Sequence, residues 1–244
     1  MALALLVLGT VGADLVRRTF RHPSGARPAP AGARAGGSDT VASAGGASAP
    51  ADSAAVPKSR IRARIAEEAE RTYITATLLE TDSTIRRWPD ERFVRPLEVC
   101  VIRQRVSGFR DEFAGNVTYA LGRWNGVLPL AFSTGADSAS ADVIITWTPQ
   151  LDSGKTGRTD LTWDRRGAIR HAFVTLATHD ASGRALETQR MSALALHELG
   201  HALGLGHSTV KEDALFPIAT ALELTERDRR TARLLYELPP GNIR

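Results

Sequence analysis

Residues 197 to 207 read HELGHALGLGH, and no other stretch constrains the fold of this chain as strongly. His197 and His201 are four apart, so on a helix they lie one above the other and can reach one ion from the same face. A helix that commits two side chains to a metal has to be held rigidly. Met191, Leu194, Ala195, Leu199 and Ala202 supply an apolar stripe at helical spacing that can bury it in a core. Gly204 can take the positive φ that ends a helix, after which the chain turns back to bring His207 up as a third imidazole. Three imidazoles leave a fourth tetrahedral position open, which separates a catalytic zinc from a closed structural one. Glu198 stands beside the first ligand without being one, where a general base for a metal-activated water is needed. The reading is zinc-dependent peptide hydrolysis without a covalent intermediate, in which Glu198 takes the proton of the water and returns it to the leaving amine.

The complete pattern H-E-x-x-H-x-x-G-x-x-H resembles the metzincins, and the residues that follow narrow the resemblance to the matrixins, the matrix metalloprotease-like branch. Ser208 comes directly after the third histidine, and Asp213-Ala214-Leu215-Phe216-Pro217 is similar to the tight turn of the family. Leu215 stands where the family has a methionine. The resemblance implies that Leu215 forms an apolar floor under the metal without ligating it, and a methionine-to-leucine exchange of this kind usually costs under about 1.5 kcal/mol. Phe216, Pro217, Ile218 and Ala219 correspond to a wall of the family's substrate pocket. The segment GAIRHAF at 167–173 resembles the upper-rim strand along which substrates lie, making Ala172, Phe173 and Val174 the expected substrate strand. Further similarity lies in Trp124 to Leu130, in Ala141 to Ile145, and in Leu224, Asp228, Leu235 and Tyr236, so that it extends over about residues 96 to 238. It implies an α+β, metzincin-like zincin with a twisted mixed β-sheet, three main helices and zinc in a cleft between upper and lower halves. Protein or peptide substrates follow from the same resemblance.

Two familiar attributes of the family are not expected. In animal matrixins the histidine of a similar H-A-F segment binds a structural zinc, and His171 occupies that place. No H-x-D partner precedes it between residues 152 and 167, and His179 and Asp180 do not complete a closed ligand set, so a single catalytic zinc is expected. Cys100 is the only cysteine, in the apolar run Leu97-Glu98-Val99-Cys100-Val101-Ile102. The run reads as a strand and the motif of an inhibitory cysteine switch is absent, which makes Cys100 a buried, unreactive thiol. With no second cysteine there is no intramolecular disulfide, and core and metal must hold the fold.

The 244 residues divide by composition. Residues 1–21 open with an apolar stretch interrupted only by Asp14, followed by Arg17, Arg18 and Arg21, and read as a secretion signal or weak membrane anchor. Residues 22–58 are almost entirely Ala, Gly, Ser and Pro, which cannot bury enough apolar surface to offset their ordering entropy, and read as a disordered linker. Residues 59–95 form a helical segment and connector, and 96–244 the matrixin-like catalytic domain. Secretion or attachment to the cell envelope follows, with a possible tether through the N-terminus. Nine Lys or Arg against two Asp between residues 15 and 64 account for the basic balance, leaving about −2 on residues 65–244. With no basic stripe interleaved with aromatics in that region, nucleic acid is not an expected partner.

Hydrophobic spacing predicts one helix over residues 59–83, with Ile61, Ile65, Ala69 and Ala76 on its apolar side. Such a helix covers part of the catalytic domain, serves as a short prosegment or joins a partner helix. Strands are predicted at 97–103, 143–147, 161–164 and 168–176, and helices at 111–127, 187–203 and 226–237, the last N-capped by Thr225. The alternative to an enzyme is a catalytically inactive, zinc-containing module that binds extended peptides or assists assembly in the envelope.

Overall fold

A computed structural model of the chain describes residues 56–244. The expectations for residues 1–21 and for the linker up to residue 55 lie outside the described residues.

The core is built on a five-stranded mixed sheet. Its strands are β2 (Leu97–Val101), β3 (Phe132–Thr134), β4 (Val143–Thr148), β5 (Gly157–Trp163) and β6 (Ile169–Ala177), in the spatial order β3-β2-β4-β6-β5. β3, β2, β4 and β6 run parallel, and β5 closes one side antiparallel to β6. β4 shows why the sheet has a sidedness: Val143, Ile145 and Trp147 are buried while the residues between them are only half-buried, the period of two of a strand with one face on the core. β5 starts four residues earlier than predicted, and β3 was not predicted.

Three long helices pack against this sheet and one another. In α3 (Asp111–Trp124), two acids in the first turn favour the helix dipole, and Phe113, Val117, Ala120, Leu121 and Trp124 form the buried stripe. The indole N–H of Trp124 donates to the carbonyl of Leu196 at 3.0 Å, joining α3 to α4 (Thr188–Ala202). α4 is buried on nearly all sides because it lies against α3, β5 and β6 at once. α5 (Glu226–Glu237) opens with a reciprocal capping box: the Thr225 hydroxyl accepts from the Asp228 backbone N–H, and the Asp228 carboxylate accepts from the Thr225 backbone N–H.

The helix predicted over residues 59–83 is two helices, α1 (Lys58–Glu68) and α2 (Ile74–Glu80). The break has a local and a tertiary cause. The Thr72 hydroxyl donates to the carbonyl of Glu68 at 2.7 Å, and the Tyr73 N–H donates to Thr231 Oγ1 of α5 at 3.1 Å instead of continuing a helical ladder. The Tyr73 hydroxyl then donates to the buried Asp228 carboxylate at 3.0 Å. After α2 two left-handed residues, Asp82 and Ser83, turn the chain into β1 (Thr84–Ile85), which pairs antiparallel with β7 (Gly241–Asn242). Ile61, Ile65, Tyr73, Ile74, Leu78, Ile85 and Trp88 share one buried cluster with the helices and sheet of the following residues. Cys100 differs from expectation: it is half-buried on β2, because Leu97 and Val99 point into the core and the alternate positions do not.

A Ile74→Ala substitution tests whether this leading segment is part of the cooperative unit. Ile74 is fully buried, so the variant is expected to lose about 2–5 kcal/mol in a single urea transition monitored by tryptophan fluorescence. A main transition that does not move would show a segment that melts on its own.

Candidate metal centre

α4 carries His197 and His201 on one face, and the chain leaves the helix through Gly204 at φ +96° to bring His207 alongside. The three rings cluster with centroid separations of 4.6, 5.4 and 4.6 Å, and their nitrogens can offer one ligating atom each within 4.8 Å of one another. Among the described residues no other group of three or more His, Cys, Asp or Glu side chains does so.

The other nitrogen of each ring is already engaged. Nδ1 of His197 lies 2.9 Å from the carbonyl oxygen of Ala214, Nδ1 of His201 lies 2.8 Å from that of Leu205, and Nδ1 of His207 lies 3.0 Å from Glu80 Oε1. A carbonyl or carboxylate oxygen can only accept, so each Nδ1 carries the proton and each neutral ring keeps its lone pair on Nε2. Nε2 of His197 and Nε2 of His201 are then 3.0 Å apart with lone pairs facing each other. A divalent cation satisfies such a pair, and three imidazoles with oriented outer nitrogens are a donor set that suits zinc. Burial, then the charge of neighbouring imidazoles, pushes the His197 and His201 pKa values down to about 4, so both rings are neutral near pH 7.

Glu198, one residue along α4, is buried, and that burial raises its carboxyl above the ordinary value against the opposing pull of His197 and a hydrogen bond from Thr159. The Thr159 hydroxyl, on β5, donates to Glu198 Oε2 at 2.7 Å. Gly157 on the same strand leaves room for the carboxylate, since a Cβ there would stand 2.2 Å from Glu198 Oε1. The edge strand and the carboxylate are therefore in direct contact.

Below the histidines, Leu215 is fully buried with its methyl groups against Gly200, where a Cβ would stand 2.6 Å from Leu215 Cδ2 and 3.1 Å from Trp124 Cζ2. The turn that carries Leu215 is fixed by polar contacts. The Leu215 carbonyl accepts from the Ser208 N–H at 2.9 Å, the Ala214 N–H donates to Asp228 Oδ2 at 3.0 Å, and Asp213 Oδ1 accepts from the Thr225 hydroxyl at 2.7 Å. Beyond the turn Phe216 is half-buried, Pro217 and Ile218 are exposed, and Ala219 is buried with its carbonyl accepting from Arg190 of α4 at 2.7 Å.

One sequence-based assignment is overturned. Ala172, Phe173 and Val174 do not form the rim of the sheet, because β6 is paired on both sides, with β4 and with β5. Its backbone groups are used in those ladders, so no extended peptide can be added to it. The edge strands are β3 and β5, and β5 is the one in contact with Glu198. The similarity of the 167–173 segment was to a motif, whereas rim position is set by strand order, which a motif does not encode. His171 is exposed on β6 with its ring 6.4 Å from that of Phe173, while His179 lies past the end of the strand beside the Thr178 hydroxyl at 2.9 Å. Asp180 accepts hydrogen bonds from Ser182 and Arg184. Three residues of the site were not anticipated: Glu80, Gly157 and Thr159. Glu80 lies 127 residues before His207, and no local pattern in the sequence links them.

Three clustered histidines on a helix and the turn behind it, with a buried carboxylate held against the edge of a mixed sheet, are a candidate metal site and point to the class of this protein. A sequence model of the family described as Matrixin matches residues 97–237, more than half of the chain. The chain belongs to the matrixin family. Similar proteins include Metalloendoproteinase 2-MMP of Arabidopsis thaliana, 27% identical over 174 residues that cover 64% of this chain and 44% of that protein. Metalloendoproteinase 5-MMP of the same plant is 27% identical over 171 residues, 62% of this chain and 45% of the relative. The chain thus spans less than half the length of these relatives.

The turn between the second and third histidines has little steric latitude. A Cβ at Gly204 would stand 2.1 Å from the carbonyl oxygen of Arg86, a backbone atom that cannot step aside, and φ +96° is itself unfavourable for an L-residue. Gly204→Ala is expected to lower unfolding stability by more than about 2 kcal/mol and to reduce zinc content, read by denaturant titration and metal analysis of the purified protein.

Proposed function

We propose that the protein is a zinc-dependent endopeptidase, with His197, His201 and His207 as ligands of one catalytic zinc and Glu198 as general base and acid. One observation carries the reading: three imidazoles, each with its Nδ1 proton held by an oxygen, turn their Nε2 atoms to one point beside a buried carboxylate. Zinc bound there supplies Lewis-acid polarisation of the scissile carbonyl and a water that deprotonates near neutral pH.

The remaining steps belong to residues of this chain. Glu198 accepts the proton of the attacking water and gives it to the nitrogen of the leaving amine, a role suited to a carboxyl whose pKa burial has raised. Thr159 fixes one carboxylate oxygen by its hydrogen bond, and the bare Cα of Gly157 keeps the place of the other open. The outer edge of β5 is the strand against which an extended peptide would dock, because its unpaired side can add a strand while its residues touch the general base. Leu215 forms the apolar floor under the histidines, and Phe216, Pro217, Ile218 and Ala219 are the wall of a substrate pocket.

The composition of the leading residues supports a protein that is exported or attached to the cell envelope, with residues 1–21 as signal or anchor and residues 22–58 as a tether. Among the described residues no helix is long and apolar enough to cross a membrane.

The full chain, loaded with zinc, is expected to cleave members of a mixed peptide library. Glu198→Ala should keep its zinc while losing cleavage by on the order of 10² to 10⁴-fold, and removing zinc with a chelator should abolish it reversibly. An untouched library, or a Glu198→Ala variant as active as its parent, would sink the reading. Thr159→Val keeps the volume of the side chain and removes only its hydroxyl. It is expected to lower kcat by about tenfold or more with KM little changed, whereas a change confined to KM would assign Thr159 to peptide binding.

A further inference from the structure

The third histidine differs from the first two in what holds it. His197 and His201 are fixed by the backbone of α4, and their Nδ1 atoms by carbonyl groups of the segment just after it. His207 stands on a turn, more than a third exposed, and its Nδ1 meets a carboxylate from another part of the chain. Glu80 Oε1 accepts both from the His207 backbone N–H, at 3.1 Å, and from Nδ1, at 3.0 Å. This chelation fixes main chain and ring together, so it sets the position and the rotation of the imidazole. Glu80 is the last residue of α2, upstream of the region that matches the family.

The rest of the turn rests on the same segment. The Gly206 N–H donates to Thr77 Oγ1 at 3.1 Å, and a Cβ on Gly206 would stand 2.8 Å from Thr77 Cα and 2.9 Å from Glu80 Oε2. Gly204 lies on the Arg86 carbonyl, and the Trp88 indole N–H donates to the carbonyl of Ala202 at 2.9 Å. Thr77, Glu80, Arg86 and Trp88 thus form a mould for residues 202–207.

We infer that Glu80 is the positioning residue of the zinc centre: through its bond to Nδ1 it fixes the tautomer and angle of His207, so that the segment ahead of the family domain completes the metal site. The inference rests on the reading of His207 as third ligand. A carboxylate–histidine–zinc arrangement of this kind makes the imidazole a stronger donor, because the oxygen anion stabilises positive charge spread over the ring. Glu80 does not join the ligand cluster itself, so a metal held by the three histidines would take none of its ligands from Glu80. The α1–α2 segment is then a working part of the enzyme and not a prosegment to be removed.

The experiment measures zinc affinity of the full chain by competition with a chromogenic chelator, together with thermal unfolding of the zinc-free protein. Glu80→Ala is expected to bind zinc 10- to 100-fold more weakly than the parent. Glu80→Gln, whose amide oxygen still accepts both hydrogen bonds without the charge, should fall between them. Leu79→Ala, at an exposed neighbouring position of α2, should bind like the parent. In the zinc-free protein, long-range proton–nitrogen NMR should find the proton of His207 on Nδ1 in the parent and distributed over both nitrogens in Glu80→Ala, a change that a purely structural role would not produce. If Glu80→Ala proves poorly folded, Glu80→Gln and its tautomer decide. Parent-like zinc affinity in both Glu80 variants, alongside loss of zinc in His207→Ala, overturns the inference. Undiminished affinity in His207→Ala would instead overturn the assignment of the third ligand.

Discussion

The structure depends on one requirement: three neutral imidazoles must direct their lone pairs to one point, which each can do only if its opposite nitrogen is held. Two of the three oxygens that hold them are backbone carbonyls, from Ala214 and Leu205, and both belong to the chain immediately after α4. A metal site of this design is inseparable from the turns that follow its helix. The capping box of α5, the buried carboxylates Asp213 and Asp228 and the Ser208 backbone therefore support the cluster even though none belongs to it. They fix the Ala214 carbonyl, and that carbonyl fixes His197.

The carboxylate of Asp228 joins this support to the leading segment. It accepts from the Ala214 N–H, from the N-cap Thr225 and from the Tyr73 hydroxyl, so one buried group ties the Leu215 turn, the start of α5 and the link between α1 and α2. Desolvation raises its pKa, while the backbone N–H groups that point at it favour the charged form. A buried carboxylate with several donors gives little net stability over an apolar replacement, but it specifies one arrangement of the elements it joins. That specificity matters where a ring must be aimed to within a fraction of an ångström.

Much of this was legible in the sequence, for reasons that can be stated residue by residue. The histidine-bearing helix was legible because an i, i+4 pair of histidines and an apolar stripe are both local, and Gly204 because a helix ending with a positive φ needs a residue without a Cβ. Thr225 as N-cap rested on the same kind of local chemistry. The single helix drawn through residues 59–83 failed where tertiary bonds outbid local ones, as Tyr73 gave its N–H to Thr231 of a helix more than 150 residues away. The substrate strand failed for a different reason. Alternation and motif identify β6 as a strand, but whether a strand is an edge depends on which strands pair with it.

What the sequence determined by itself is the local cluster: three imidazoles and one carboxylate at spacings that a helix and a glycine turn bring together. Those spacings act over a few residues, where covalent geometry leaves few options. Tertiary structure alone decided which oxygen holds the third imidazole, which strand lies beside Glu198 and which strands end the sheet. Glu80 with His207, and Thr159 with Glu198, are contacts between residues far apart in the chain, and the energies that select them come from burial and hydrogen bonding in the assembled core.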